Sequence, residues 1–495
     1  MLDYDKLNAK MKPVWELLKN DKAKLAFNKL QYMINSGVFD REEMWYAYEK
    51  MGDIEYRMMN IEKAVAAYWQ CINSTEGMPL RKQQEYYSNY LLMLHYLPQI
   101  TDLQMTDSHM VYQQLCVHNP RYEYDNWKKH KKIRVGYIAA RFVMNVVSCF
   151  SVHLLTKYDR NKFDVYVYSM TDGEDDCTSE IKDNVTCYRD LSQFPGNQEK
   201  ADQIHKDEID ILFDLTGHTE GGRTLQIMSF KPAPVQISGI GYMSTTGLRE
   251  VDYFLSDVFL DPLGEHDEQF SEKLIRLPHS HFCYMPFARA LQRRTDYKMH
   301  TPIIFGCFNN FHKISDDMLA VWKQILDKLP GSKIIMKNST MRVKNMSPLH
   351  ARMKAAGYQK NQYEIESMTY NYFDKYMDID IALDTYPYCG GGTTCDALFC
   401  GVPVITLCGT RHGSRFGYSL LKNVGLDELI AYNRDEYVQK AVALAKDRET
   451  LQALRDNLPL IVRKSPLMDI PQYVSEIEAV YEKIYADKIQ EMSEK

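Results

Sequence analysis

The chain has 495 residues, 45% of them apolar and 25% charged, with a net charge of −6. That is an ordinary globular composition, long enough for about three domains, and its acidic balance gives no support to a nucleic-acid partner. No apolar run reaches membrane-spanning length, and the start MLDYDKLNAKMKPVWELLKN lacks the apolar stretch of a secretion signal. The 11 cysteines are scattered without paired CxxC spacing. They predict free thiols in a reducing cytoplasm.

Residues 1–131 predict a helical region. Gly52, Ala64, Tyr68 and Cys71 fall at the spacing of a tetratricopeptide repeat, where small residues let two helices approach. One such unit supports two readings, a groove for a peptide or a cap over apolar surface of the next domain. After the basic hinge at 128–132 the pattern changes. Strands are predicted at 133–139, 163–168, 209–214 and 235–240, with helices at 148–155 and ending at 201–207. This alternation predicts a doubly wound α/β domain over 132–295. Polar turns follow its strand ends, first Thr216-Gly217-His218-Thr219, then Gly241 to Gly247. Ligands of such sheets bind beyond the carboxyl ends of the strands.

A polar, basic linker at 285–300 leads into a second α/β domain, 296–495. Strands are expected at 303–307, 333–337, 379–383 and 402–407. Helices are expected at 317–329, 349–356, 414–423 and 434–447, and a last one at 473–486 is placed to return across both domains. The fold class is therefore α/β, two Rossmann-like domains facing a cleft behind an all-α region.

The most informative stretch is DIDIALDTYPYCGGGTTCDALFCGVPVITL at 378–407. It reads as strand, glycine turn, helix, strand. Gly390, Gly391 and Gly392 allow close approach of a ligand to the backbone. The helix start after them offers unpaired N–H groups and a partial positive charge, which suit a diphosphate. Thr393, Thr394 and Asp396 add hydrogen bonds for phosphate and sugar. A tight turn without a ligand is the structural alternative. Lys313, with Asn309 and Asn310, follows the strand at 303–307; a lysine there can neutralise a diphosphate leaving group without metal, and a solvated lysine is the structural alternative. His218, and Asp202 with His205 one helical turn apart, are candidates to orient an acceptor hydroxyl or take its proton. Each also reads as a structural hydrogen-bonder. No HExxH string or carboxylate cluster marks a metal site, and the DxD-like Asp378-Ile379-Asp380 reads as structural.

These strings resemble the protein O-GlcNAc transferase family, glycosyltransferase family 41, which also holds bacterial protein N-glucosyltransferases and plant protein O-fucosyltransferases. The likeness runs from about residue 86 to 485 through VGYIAARF, ADQIHKDEIDILFDLTGHT, PAPVQISGIGYMSTTGL, DYFLSD, FNNFHKI, the glycine-turn stretch and SRFGYSLLKNVGLDELI. It implies a GT-B fold and an inverting, metal-independent enzyme without cofactor, of bacterial type. The donor would be a nucleotide sugar, UDP-GlcNAc first. The acceptor would be a Ser or Thr of a polypeptide presented by the tetratricopeptide region. On this resemblance Lys313 meets the diphosphate and Asn310 lies beside it. Tyr372 meets the base, with Lys375 as a neighbouring basic position. Gly390, Gly391, Gly392, Thr393 and Thr394 hold phosphate and sugar, and Asp396 the ribose. Asp202 and His205 match the family's polar pair. His218, Thr219, Gly241, Ser244 and Thr245 fall on the sugar-facing loops. Asn145 stands where the family usually has histidine, and Arg141 where aspartate is usual. Asparagine is no general base near neutral pH. That departure keeps a non-catalytic, nucleotide-sugar-binding subunit as an alternative, beside asparagine N-glucosylation and O-fucosylation. The short helical region predicts one dedicated partner, such as a surface or flagellar protein.

Overall fold

The computed structural model describes residues 4–116, 122–124, 127, 129–338, 346–367, 369 and 371–494. Lys128, at the start of the expected basic hinge, lies outside them. The chain opens with helices Tyr4–Lys19, Ala23–Asn35, Met44–Arg57, Ile61–Asn73, Leu80–Leu94 and Asp102–Met110. The third and fourth pack against each other along the small-residue spacing. Gly52 faces the Tyr68 ring, and the Tyr68 hydroxyl donates to Asp53 at 2.6 Å.

The first sheet holds β1 (Ile133–Ala139), β2 (Phe163–Ser169), β3 (Cys187–Asp190), β4 (Ile211–Asp214), β5 (Val235–Ser238), β6 (Tyr253–Asp257) and β7 (Lys273–Leu277). Its order is β3-β2-β1-β4-β5-β6-β7. The second holds β8 (Ile304–Cys307), β9 (Lys333–Lys337), β10 (Tyr363–Glu366), β11 (Ile381–Leu383), β12 (Val404–Leu407) and β13 (Ile430–Ala431), in the order β10-β9-β8-β11-β12-β13. Every neighbouring pair is parallel. Helices on both faces bury the central strands, so every residue of β4, β5 and β12 is buried, the polar Gln236 and Thr406 included. These are the two Rossmann-like sheets of a GT-B fold.

Helix Ile470–Ser493 returns to the first sheet, where the Tyr481 and Tyr137 hydroxyls meet at 2.9 Å. The chain crosses between the halves twice, before β8 and before this helix, and the crossings touch. Tyr284 N–H donates to the Leu467 carbonyl at 2.7 Å. Buried polar contacts lock the halves elsewhere. The Ser419 hydroxyl donates to Asp257 at 2.8 Å, and His412 Nδ1 lies 2.6 Å from Asp261. Asp380 of the DxD-like string accepts from Tyr297 Oη at 2.6 Å and Ile304 N at 2.7 Å, a structural role. Among the described residues no helix is long and apolar enough to cross a membrane.

Candidate active site

The carboxyl ends of β8, β11 and β12 bring the glycine turn and Lys313 together. Asp384, the first residue beyond β11, organises them. Its Oδ1 accepts from the backbone N–H of Thr385 and of Gly390, each at 2.8 Å, and from Asn309 Nδ2 at 3.3 Å. Its Oδ2 accepts from Thr406 Oγ1 of β12 at 2.9 Å. Burial raises this carboxyl's pKa, and those donors with the Lys313 charge oppose the rise. Asn309 in turn accepts from the Thr393 hydroxyl at 2.7 Å. The turn is thus tied to both flanking strands before any ligand arrives.

Gly390 sits where this network is tightest. A Cβ there would lie 2.6 Å from Thr393 Oγ1, 2.8 Å from Thr394 Oγ1 and 2.9 Å from Asn309 Oδ1. Gly390→Ala should therefore break the Thr393–Asn309 bond, destabilise the chain by about 1–3 kcal/mol and weaken nucleotide binding about tenfold. Calorimetric titration with UDP beside a melting curve checks this; wild-type affinity in the variant would contradict it. Gly391 faces Phe282 and Gly392 faces Val146, both from the first half. The helix Gly392–Phe399 begins at the last of the three glycines, with Gly391 as its N-cap.

Lys313 ends the short turn Phe311–Lys313, which Asn310 caps through its side chain. The ammonium donates to the Cys389 carbonyl at 2.9 Å and stands 3.5 Å from the centre of the Tyr388 ring. Burial lowers it to about 8, against the pull of Asp384, Cys389 and Cys307. It remains a cation at neutral pH, held beside the turn.

Asp396, on the same helix, is buried and accepts from the hydroxyls of Tyr284 and Tyr372, each at 2.5 Å. Burial raises it to about 6, while the two tyrosines pull it back. Tyr372 belongs to the second half and Tyr284 to the crossing from the first. Lys375 lies close by but is neutralised by Glu366 at 3.0 Å and Asp378 at 3.1 Å.

The remaining expected residues fall into different places. His218 is fully buried beneath the helical region. Its Nδ1 meets Ser88 Oγ and its Nε2 the Thr246 carbonyl, both at 2.9 Å. The carbonyl requires the proton on Nε2, so Nδ1 accepts from the serine. Burial, and then His109, hold its pKa well below the usual range. Both nitrogens are committed, which is the structural role of the two expected. Asp202 and His205 lie on the outer face of helix Asn197–Lys206, toward the end of the first sheet where the strands begin. Asp202 accepts from the Tyr122 hydroxyl at 2.5 Å, and His205 stacks on that ring at 4.2 Å. The pair anchors Tyr122 instead of facing the glycine turn.

The Thr219 hydroxyl donates to the Thr216 carbonyl at 2.7 Å. Gly241 approaches the backbone so closely that a Cβ would lie 1.9 Å from the Leu215 carbonyl. Thr245 is buried and donates to Glu272 at 2.6 Å, and Ser244 beside it is half-buried. Asn145 accepts from the Val147 and Ser148 N–H groups at 2.8 and 3.1 Å, which fixes its amide in the turn that leads into helix Ser148–Thr156. Three contributors carried no site assignment from sequence: Asp384, Tyr284 and Tyr388. The apolar run ending in aspartate just before the glycines is the signal that marks the first. Among the described residues no group of three or more His, Cys, Asp or Glu forms a metal cluster.

Two facing parallel sheets, with a glycine turn and a half-buried lysine at the strand ends of the second, define a GT-B glycosyltransferase plan. The chain belongs to glycosyl transferase family 41, whose profile matches residues 104–285 and 284–477. It is 34% identical over 412 residues to a tomato (Solanum lycopersicum) protein named "Probable UDP-N-acetylglucosamine--peptide N-acetylglucosaminyltransferase SPINDLY", covering 80% of this chain and 44% of that one. It is 30% identical over 371 residues to the Arabidopsis thaliana protein of the same activity name called SEC, covering 72% and 37%. The chain therefore spans less than half the length of these curated relatives. Its fold superposes on an O-GlcNAc transferase mutant (K341M) of Thermobaculum terrenum with a TM-score of 0.80, at 24% identity over 99% of each chain.

Proposed function

We propose that this chain is an inverting, metal-independent protein glycosyltransferase that moves a sugar from a nucleotide diphosphate to Ser or Thr of a polypeptide. GlcNAc from UDP-GlcNAc is the first donor to test, in keeping with the relatives' names. The observation that carries the reading is one half-buried cation, Lys313, tied to a carbonyl of the glycine turn at 2.9 Å. Backbone N–H groups of the turn and the helix start would hold the diphosphate. Lys313 would leave the Cys389 carbonyl for a phosphate oxygen and stabilise the charge that develops as the C1–O bond breaks. The acceptor oxygen would attack the anomeric carbon from the opposite side. A ribose would reach Asp396 by sharing it with Tyr284 and Tyr372.

The acceptor's proton needs a destination. His218 has both nitrogens engaged, and Asp202 is held low in pKa by Tyr122 and Gln198. Asn145 has its amide oxygen engaged by the Val147 and Ser148 N–H groups. The reading therefore sends the proton to a phosphate oxygen of the donor, which becomes the acid-bearing leaving group. The decisive experiment incubates the protein with UDP-GlcNAc, UDP-glucose and GDP-fucose in turn, with host lysate as acceptor. Nucleoside diphosphate release and modified peptides are measured by mass spectrometry, with and without chelator. Release from UDP-GlcNAc, unaffected by chelator and absent in Lys313→Ala, is expected. Equal background from both proteins would favour a binding-only subunit. Modified asparagine or fucosylated peptides would reassign acceptor or donor.

A further inference from the structure

Two contacts between the helical region and the donor side of the cleft converge on Lys313. The first is the Tyr388 ring beneath the ammonium. Two rings of the helical region flank it, Tyr96 with ring centres 5.7 Å apart and His95 at 6.2 Å. The second is His312, the residue before Lys313. Tyr56 stacks on its imidazole at 3.8 Å with the planes 1° from parallel. His312 Nε2 donates to the Tyr56 carbonyl at 3.0 Å. The Tyr56 hydroxyl also faces Tyr96 and Asn310, which joins the two points.

We infer that the helical region completes the donor-phosphate site, with Tyr56 and Tyr96 acting as positioning residues for Lys313 through His312 and Tyr388. This rests on the proposed role of Lys313. A lysine stem has several rotatable bonds, and an ammonium in a half-apolar recess has few partners. An aromatic face supplies one without forming an ion pair that would compete with phosphate. Here the ring meets the cation from one side and the Cys389 carbonyl from another, so Lys313 is held near the turn but remains free to move to a stronger anion. Tyr388 stands on a loop, and the ring of Tyr96 backs it. His312 is fixed by a stack whose other half is Tyr56. An acceptor-presenting domain alone has no need of these contacts, since a peptide does not touch the diphosphate cation through them.

The test uses the full chain with water as acceptor, so that peptide presentation plays no part. Release of UDP from UDP-GlcNAc is followed across pH for wild type, Lys313→Ala, Tyr388→Leu, Tyr388→Phe and Tyr96→Leu. The ammonium faces Asp384, Cys389, Cys307 and Tyr388, and only the last changes in the 388 variants. The ring favours the charged form, so its loss moves the alkaline fall of the wild-type profile to lower pH. Tyr388→Leu should lower kcat about tenfold and shift that limb down by about 0.5–1 pH unit. Tyr388→Phe keeps the ring and should restore both. Tyr96→Leu should lower kcat several-fold and serves if Tyr388→Leu does not fold. A wild-type rate and an unshifted limb in Tyr388→Leu, or a wild-type rate in Tyr96→Leu, overturns the inference and leaves the glycosyltransferase reading standing. Wild-type release no greater than that of Lys313→Ala overturns both.

Discussion

Lys313→Ala should cut sugar transfer by about two to three orders of magnitude, the size expected when a lone charge stabiliser is removed from a developing oxyanion. Its neighbours make the effect hard to bypass. The ammonium is the cation bonded to the turn at 2.9 Å, and Lys375 nearby is already matched by Glu366 and Asp378. Donor affinity should fall less than kcat, because the N–H groups of the turn still bind diphosphate. The fold should persist, since burial makes the charged lysine a cost to the folded state, as its lowered pKa of about 8 indicates. Steady-state release of nucleoside diphosphate, beside a circular dichroism melt, reads all three. A variant with unchanged kcat would remove Lys313 from the chemistry.

Asp396 should show its effect first in stability. Its carboxylate is the acceptor for two buried tyrosine hydroxyls, each at 2.5 Å. Asp396→Ala strands both, and each buried donor left unpaired costs about 1–3 kcal/mol. A loss of about 2–5 kcal/mol and a failure to bind UDP are expected. The pH dependence gives an independent reading. Burial lifts this carboxyl to about 6, above its value of 3.8 without the protein environment. The folded state then holds a proton that the unfolded state has lost. That contribution is full below pH 3.8, and it disappears as pH rises through about 6. The slope is at most about 1.4 kcal/mol per pH unit. Asp396→Asn removes it. Denaturant unfolding of both proteins between pH 4 and 6.5 should give curves that converge as pH rises; parallel curves would show that Asp396 does not titrate there.

The sequence was most legible where burial is continuous. The strands β1, β4, β5, β8 and β9 stand within two residues of their expected places, and the glycine turn opens a helix as its composition requires. The edge strands β3 and β10 are half-exposed along their length, so they lack both an unbroken apolar run and a clean alternation. At the site, residues close in sequence were readable as a group: Gly390 to Thr394 and Asp396, and Lys313 with Asn310. Contacts between distant segments were not. Nothing local marks Tyr284 as a partner of Asp396, 112 positions away, or Tyr96 as the backing of Tyr388. His218 shows the opposite limit. A histidine in a glycine-bearing turn at a strand end is compatible with catalysis and with a buried knot of hydrogen bonds, and the partners that favour the second, Ser88 and Thr246, both lie far from it in the chain.

The paired crossings between the halves constrain how the cleft can open. Two connections bonded side by side through Tyr284 N–H and the Leu467 carbonyl leave a seam that tolerates swinging but resists sliding. Groups on the seam move least, and one of them is Tyr284, whose hydroxyl reaches Asp396. A nucleoside seated against that carboxylate would rest at the axle of the motion, and the lip formed by Val146 over Gly392, one helical turn away, would swing with it through a small arc.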